Sequence, residues 1–315
     1  MIEPDIDIYG SLARGSALAD YLEVLALAGK ACTRAQLEDA VRDRNWSRKR
    51  SHMIVDPNDL DANGELDEDM ELTSHVEEAW SCLEERCDVL GDRYPFALGE
   101  HRVSLRSGID VEHDPYVAIL CLTVAHAYGV DVGISVTDLF EEVVASALES
   151  RDLLVSRVGE NARRARGSVT FPETLRQVGE DLAIRTVLGG AAFSRHANDM
   201  GADLVAHFTW RDLRTGRMTF VCQVTCANSD AWRKKLGEAA PGLWAGWFAE
   251  PIDPACGLAV PHHVPPRTHG LLVTEQRKFV FDRLRLVLCQ RDVSVAEVMV
   301  IRAVRDTGVD DVAAA

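Results

Sequence analysis

The stretch 203–236 constrains this chain more than any other. Leu204, Ala206 and Phe208 alternate with Asp203, Val205 and His207. Alternation at period two puts the first set on one face of a strand and the second on the other. Further on, Phe220, Cys222 and Val224 alternate with Gln223 and Thr225. The segment between the two runs is polar and contains Gly216, the make-up of a hairpin turn. Behind the second strand, Trp232, Leu236, Ala239 and Leu243 recur at helical spacing after a cap at Ser229 or Asp230. A hairpin with one apolar and one polar face, followed by an amphipathic helix, belongs to an α/β fold.

The polar positions of this stretch carry a consistent chemistry. Asp203 opens the first strand, Gln223 and Thr225 face one way across the hairpin, and a lysine follows on the helix. At about 100° per residue, Lys235 lies on the stripe side of that helix and Lys234 points away. An inward lysine is costly without a carboxylate partner, and Asp203 is the expected one. Upstream, Thr137 or Asp138 caps a helix whose stripe is Val136, Phe140, Val143, Val144 and Ala147. On it Glu141 flanks the stripe and Glu142 falls opposite, so Glu141 is the one placed to look into a site. Two carboxylates, an amide oxygen and a lysine make up a candidate metal-dependent nuclease centre. A competing constellation is a thiol nucleophile, Cys222 or Cys226, with His207 as base. Strand parity turns Cys222 into the core, away from the exposed setting a thiolate needs.

Composition sets limits on this reading. A chain of 315 residues, 47% hydrophobic, can bury a large core or two modest ones. No apolar run approaches the roughly 18 to 20 residues of a membrane span. The acidic start Met1-Ile2-Glu3-Pro4-Asp5 lacks the basic head of a secretion signal, so a cytoplasmic protein is expected. The eight cysteines are scattered among apolar neighbours, without zinc or disulfide spacing, and read as buried thiols. A weaker set, Cys256 with His262, His263 and His269, lies in a proline-flanked loop. The formal charge of −16 opposes unaided binding to a phosphate backbone. Against it stands a run of Arg157, Arg163, Arg164 and Arg166 beside the candidate centre, the expected nucleic-acid contact.

Along the chain, Leu18 to Leu27 reads as a helix closing at Gly29, and Thr33 caps a second helix toward Trp46. The acidic stretch 56–72 reads as a solvated linker. It imitates a calcium loop from Asp59, but Met70 stands where the bidentate glutamate belongs. A helix is expected from Thr73 to Val89, short strands at 94–98 and 103–105, and a buried helix at 116–127. Ser168 to Val187 reads as a helix. Phe279 to Leu288 and Val295 to Val304 fit helix or strand equally. The expected organisation is a helical N-terminal domain at 1–92, a second domain at 93–306 and a flexible tail at 307–315. The fold class is α/β, a mixed central sheet flanked by helices.

At Phe140-Glu141, Asp199-x-Gly201-x-Asp203, Gln223 and Trp232-x-x-Lys235 the sequence resembles the PD-(D/E)xK restriction-endonuclease-like superfamily. It is most similar to a bacterial group associated with phage defence. Trp244-x-x-Trp247-Phe248, Val260-Pro261-His262 and Asp282-Arg283-x-Arg285-Leu286 extend the resemblance, which covers about 94–288. It implies a restriction-endonuclease-like core and magnesium- or manganese-dependent cleavage of DNA. The implied ligands are Asp203, Glu141 and the Gln223 side chain, with the Val224 carbonyl and Asp199 as further candidates, and Lys235 as the catalytic cation. The superfamily usually places an acid and a lysine where Gln223 and Thr225 stand here. A catalytically degenerate scaffold or regulatory subunit is therefore the alternative. With no nucleotide-binding glycine loop in the chain, a helicase, ATPase or sensor subunit, or a second copy, is the expected partner. Trp244 and Trp247 share a helical face and suit either a docking patch or the core.

Overall fold

The computed structural model describes residues 1–52, 62–99, 102–167, 170–187, 201–208 and 214–309. The chain forms two compact units, Met1–Asp131 with Val298–Ala315, and Val132–Glu297. No helix among the described residues is long and apolar enough to cross a membrane.

The first unit contains α1 (Arg14–Leu27), α2 (Arg34–His52), α3 (Ala62–Leu90), the paired strands β1 (Phe96–Leu98) and β2 (Val103–Leu105), and α4 (Pro115–Tyr128). Helix α1 is buried along nearly its whole length and packs on α3 and β2. Thr33 and Gln36 cap α2 reciprocally, each backbone N–H donating to the other's side chain. Asp114 caps α4 through the N–H groups of Tyr116 and Val117, and Gly129 closes it in the left-handed region.

Three expectations for this unit are corrected. The division falls after residue 131 rather than 92, because Tyr94 and Tyr116 both bond to Glu23 of α1 and their rings meet edge to face at 5.2 Å. The acidic linker expected at 56–72 is helical from Ala62 on. Glutamate, leucine and methionine favour helix, and a continuous helix cannot curl into a calcium loop. Residues 56–61 lie outside the described part. Of the flexible tail expected at 307–315, Val309 is held, since Ile2 pairs with it and Lys30 donates to its carbonyl, and 310–315 lie outside the described residues.

The second unit is an α/β layer. It contains α5 (Val136–Glu149), β3 (Leu153–Arg157), α6 (Glu160–Ala165), α7 (Phe171–Asp181), β4 (Leu204–Phe208), β5 (Thr219–Val224), α8 (Trp232–Glu238), α9 (Pro241–Trp247), β6 (Ala255–Ala259), α10 (Pro266–Gln276), β7 (Phe279–Phe281) and α11 (Arg283–Leu288). The last helix of the chain is α12 (Val295–Thr307). The sheet order is β3-β4-β5-β6-β7, antiparallel through β5 and parallel from β5 to β7. The parity read from sequence holds. Leu204 pairs with Cys222 and Ala206 with Phe220 on one face, Val205 with Val221 on the other. Val205 and Val221 pack against Phe171 and Leu175 of α7 and Trp244 and Trp247 of α9. Both tryptophans are buried, which removes the docking-patch reading.

Element ends also shift. Ser135, not Thr137 or Asp138, caps α5 by accepting from the Asp138 N–H. Helix α7 begins at a capping box of Thr170 and Glu173 and stops at Asp181, short of Val187. The ambiguous run 279–288 is both things in turn, a strand to Phe281 and, after the Asp282 cap, a helix. A short 3-10 turn, Ser229–Ala231, leads into α8 in place of a side-chain cap.

Candidate metal centre

The site lies at the carboxyl end of β5, beside the start of antiparallel β4. Asp203 sits one residue before β4 and is pinned on both sides. Its N–H donates to the Cys222 carbonyl at 2.9 Å, and its carbonyl accepts from Val158 N–H at 2.7 Å. Its carboxylate is buried, and Oδ2 accepts from the Val224 N–H at 2.7 Å and from Gln223 Nε2 at 3.0 Å. A carboxylate only accepts, so the amide nitrogen of Gln223 must face it and the amide oxygen must turn away. That oxygen, Gln223 Oε1, is buried without a hydrogen-bond partner.

Glu141 approaches from α5. The helix buries Leu139, Phe140, Val143, Val144, Ala147 and Leu148 and leaves Glu142 exposed, so Glu141 emerges half-buried on the flank of the stripe. Its Oε2 is likewise buried with no hydrogen-bond partner. Burial, and then the charge of Asp203, push the Glu141 carboxyl up to about 7, against the opposing pull of Arg157.

Gly159 explains how two carboxylates share this space. A Cβ there would lie 3.2 Å from Asp203 Oδ1 and 3.3 Å from each oxygen of Glu141. The two acids thus face one another across the room that one methyl group would fill. Gly201, at φ +73°, performs a similar service. A Cβ on it would stand 2.6 Å from the Glu238 backbone, so glycine lets the end of α8 close on the turn before Asp203. Nothing in the sequence singled out Gly159, since a glycine before a short helix is common.

The structure therefore brings Glu141, Asp203 and Gln223 together. It places Lys235 elsewhere, with Nζ 3.2 Å from Glu238 Oε2 rather than paired with Asp203. The reason is local: on one α-helix residues three apart are neighbours, and Glu238 satisfies the ammonium without a reach across the sheet. Asp199 lies outside the described residues. The arginine run is largely neutralised. Arg157 pairs with Glu142 at 2.8 Å, Arg164 with Glu160 at 3.0 Å and Arg166 with Asp181 at 2.7 Å. Arg163, one turn beyond Gly159 in α6, keeps a buried Nε without a hydrogen-bond partner. Thr225 accepts the Ala227 N–H, a turn role.

The thiol constellation does not form. Burial pushes the Cys226 thiol up to about 12 and Cys222 higher still. Both ring nitrogens of His207 lie 2.7 Å from backbone carbonyls, of Phe208 and Leu182, so neither is available as a base. All eight cysteines are free, and no cluster of three or more His, Cys, Asp or Glu among the described residues could hold a metal. The donor set that remains is two carboxylates and one amide oxygen. Hard cations accept such a set and fill their other positions with water. Glu141 Oε2 and Gln223 Oε1, buried without hydrogen-bond partners on residues that flank the Asp203 carboxylate, are donors of the kind a hard divalent cation takes. Comparison with protein-family models, with curated proteins and with solved structures returned no match.

Proposed function

We propose that the second unit is a restriction-endonuclease-like nuclease domain that hydrolyses phosphodiester bonds in DNA with magnesium or manganese. The observation that carries this reading is the pair of buried, unpartnered oxygens, Glu141 Oε2 and Gln223 Oε1, beside the Asp203 carboxylate. An unsatisfied buried acceptor costs about 1–3 kcal/mol, and two on residues that flank one carboxylate are tolerated where a ligand meets them. Asp203, Glu141 and Gln223 would hold the cation, which when bound would polarise the scissile phosphate and make water more acidic. Asp203 fixes the Gln223 amide, and Gly159 holds open the space between the acids. Glu141 retains or releases a proton near neutral pH, so it can give up that proton as the cation arrives.

Charge distribution supports a nucleic-acid substrate better than the total does. Of 50 acidic and 34 basic residues, the first unit holds 30 and 14, whereas the second holds 20 of each. The unit carrying the site is neutral, and the whole excess of negative charge lies in the other. An acidic unit on a nuclease suits control by a partner subunit, a helicase, ATPase or sensor, or by a second copy. With free thiols throughout, that assembly belongs in a reducing, cytoplasmic setting, and the motif resemblance assigns it to anti-phage defence.

Titrating the full chain with Mn²⁺ and assaying duplex DNA cleavage tests the proposal. Metal binding and metal-dependent cleavage in the wild type, with cleavage reduced roughly a hundredfold or more in Asp203→Asn, are expected; cleavage at the wild-type rate in the variant sinks it. One observation favours a second reading, a degenerate scaffold. Lys235 is engaged by Glu238 and leaves the site without the expected lysine. Metal binding without cleavage, under any partner or DNA tested, would select it.

A further inference from the structure

With a divalent cation bound, the charges of Asp203 and Glu141 are cancelled, and an incoming phosphodiester still brings one negative charge. Another cation must meet it. Lys235, Arg164 and Arg166 pair with Glu238, Glu160 and Asp181, and Arg157 with Glu142, so place rather than pairing must separate them. Arg157 is differently placed. It ends β3 opposite Leu204, the residue after Asp203, and the next N–H in the chain, that of Val158, donates to the Asp203 carbonyl. Its Nη1 is held 2.8 Å from Oε1 of Glu142, the sequence neighbour of Glu141, and the side chain is 22% exposed. Its charge already reaches Glu141, where it opposes the effect of burial.

Resting on the nuclease reading, we propose that Arg157 receives the substrate's phosphate, exchanging Glu142 for a phosphodiester oxygen. The exchange costs little, because Glu142 is exposed and an ion pair with one partner in water contributes at most about 1 kcal/mol. The gain is larger, since a guanidinium can bind two phosphate oxygens in a fork in a partly dry site. Glu142 is then a positioning residue that keeps Arg157 extended along α5 until substrate arrives. This explains why α5 carries two successive glutamates, one facing the site and one facing its cation.

The test uses the full chain, with Mn²⁺ binding measured by calorimetry. Binding of a short fluorescein-labelled DNA duplex is measured by anisotropy in Ca²⁺. Arg157→Met should weaken duplex binding roughly tenfold or more, the worth of a charged hydrogen bond. Mn²⁺ binding should be unchanged or tighter, because a positive charge beside the acids is gone. Arg157→Lys should recover part of the duplex affinity, and Glu142→Gln should tighten it by freeing the guanidinium. A merely structural role predicts instead that Arg157→Met loses metal and duplex together, which overturns the proposal. So does wild-type duplex affinity in Arg157→Met, or the loss appearing in Arg163→Met instead. Wild-type chain that binds Mn²⁺ but no duplex overturns this assignment and leaves the metal site standing. Failure to bind Mn²⁺ defeats the nuclease reading and this inference with it.

Discussion

Each unit buries a cluster of carboxylates, and the two clusters are built on opposite principles. In the first unit Arg86 of α3 lies fully buried between Asp20 and Glu23 of α1, 2.8 Å from each. Tyr9 donates to Asp20, Tyr94 and Tyr116 donate to Glu23, and Arg86 also donates to Ser16 Oγ. All four carboxylate oxygens have partners. Arg86 Nη1 faces Glu23 off the hydrogen-bond axis, so the attraction there is ionic. In the second unit Asp203 is similarly anchored, yet Glu141 Oε2 and Gln223 Oε1 are left unmet. A closed network holds helices in register, whereas an open one leaves acceptors that a ligand could meet. Burial is common to both, and the two clusters differ in how far their acceptors are met.

The largest effect is expected in the closed cluster. Arg86→Met strands Asp20 and Glu23 without their cation, and breaking a buried ion pair from one side costs about 3–5 kcal/mol. Chemical denaturation followed by circular dichroism should show that loss. If Arg86→Met were as stable as the wild type, the network would not be the lock described. Asp203→Asn comes next. Asparagine keeps an oxygen for the Val224 N–H, so the fold should survive while metal-dependent cleavage falls roughly 10²–10³-fold. Initial rates with thermal melts as control would check both halves.

Much of this contrast was legible in the sequence, and the part that was not has a physical cause. Period-two alternation fixed the faces of β4 and β5, and helical arithmetic separated Glu141 from Glu142, because local geometry decides both. Lys235 was placed on the right side of α8, but arithmetic about one helix says nothing of rival partners, and Glu238 was nearer. The Arg86 cluster was invisible. Its members come from positions 9 to 116 and only tertiary packing assembles them. The same holds for the domain division, which the bonds of Tyr94 and Tyr116 to Glu23 decide. Gly159 matters only through the two side chains opposite it.

A smaller effect should appear in the pH dependence of metal binding. Glu141 titrates at about 7, so below that value a proton must leave before the cation is held. Apparent Mn²⁺ affinity should fall about tenfold for each pH unit below roughly 7 and level off above it. Calorimetry across that range would show it, and Glu141→Gln should flatten the slope. A slope centred near the ordinary glutamate value would mean that the acid is not desolvated as described.

The smallest expected effect separates the two clusters most sharply. Burial raises the folded-state value of Glu141 above its unfolded value, so the folded state binds that proton more tightly. Stability from this group is therefore present at acid pH and is lost as pH rises from about 4.5 to about 7. At pH 8 in EDTA the wild type carries an ionised, partly desolvated Glu141, and Glu141→Gln removes that burden. The gain should be on the order of 1 kcal/mol, discounted because the side chain is half-exposed, or a few degrees in melting temperature. Mn²⁺ at about 100 times the wild-type Kd should reverse the order, since it stabilises the wild type by about 2.7 kcal/mol and the variant, which binds it more weakly, by less. Glu23→Gln is the control from the closed cluster. Its amide group would face Arg86, so it should lower the melting temperature with or without metal. If Glu141→Gln in EDTA destabilised the protein as Glu23→Gln does, Glu141 would be a satisfied structural acid and the second cluster would be closed like the first.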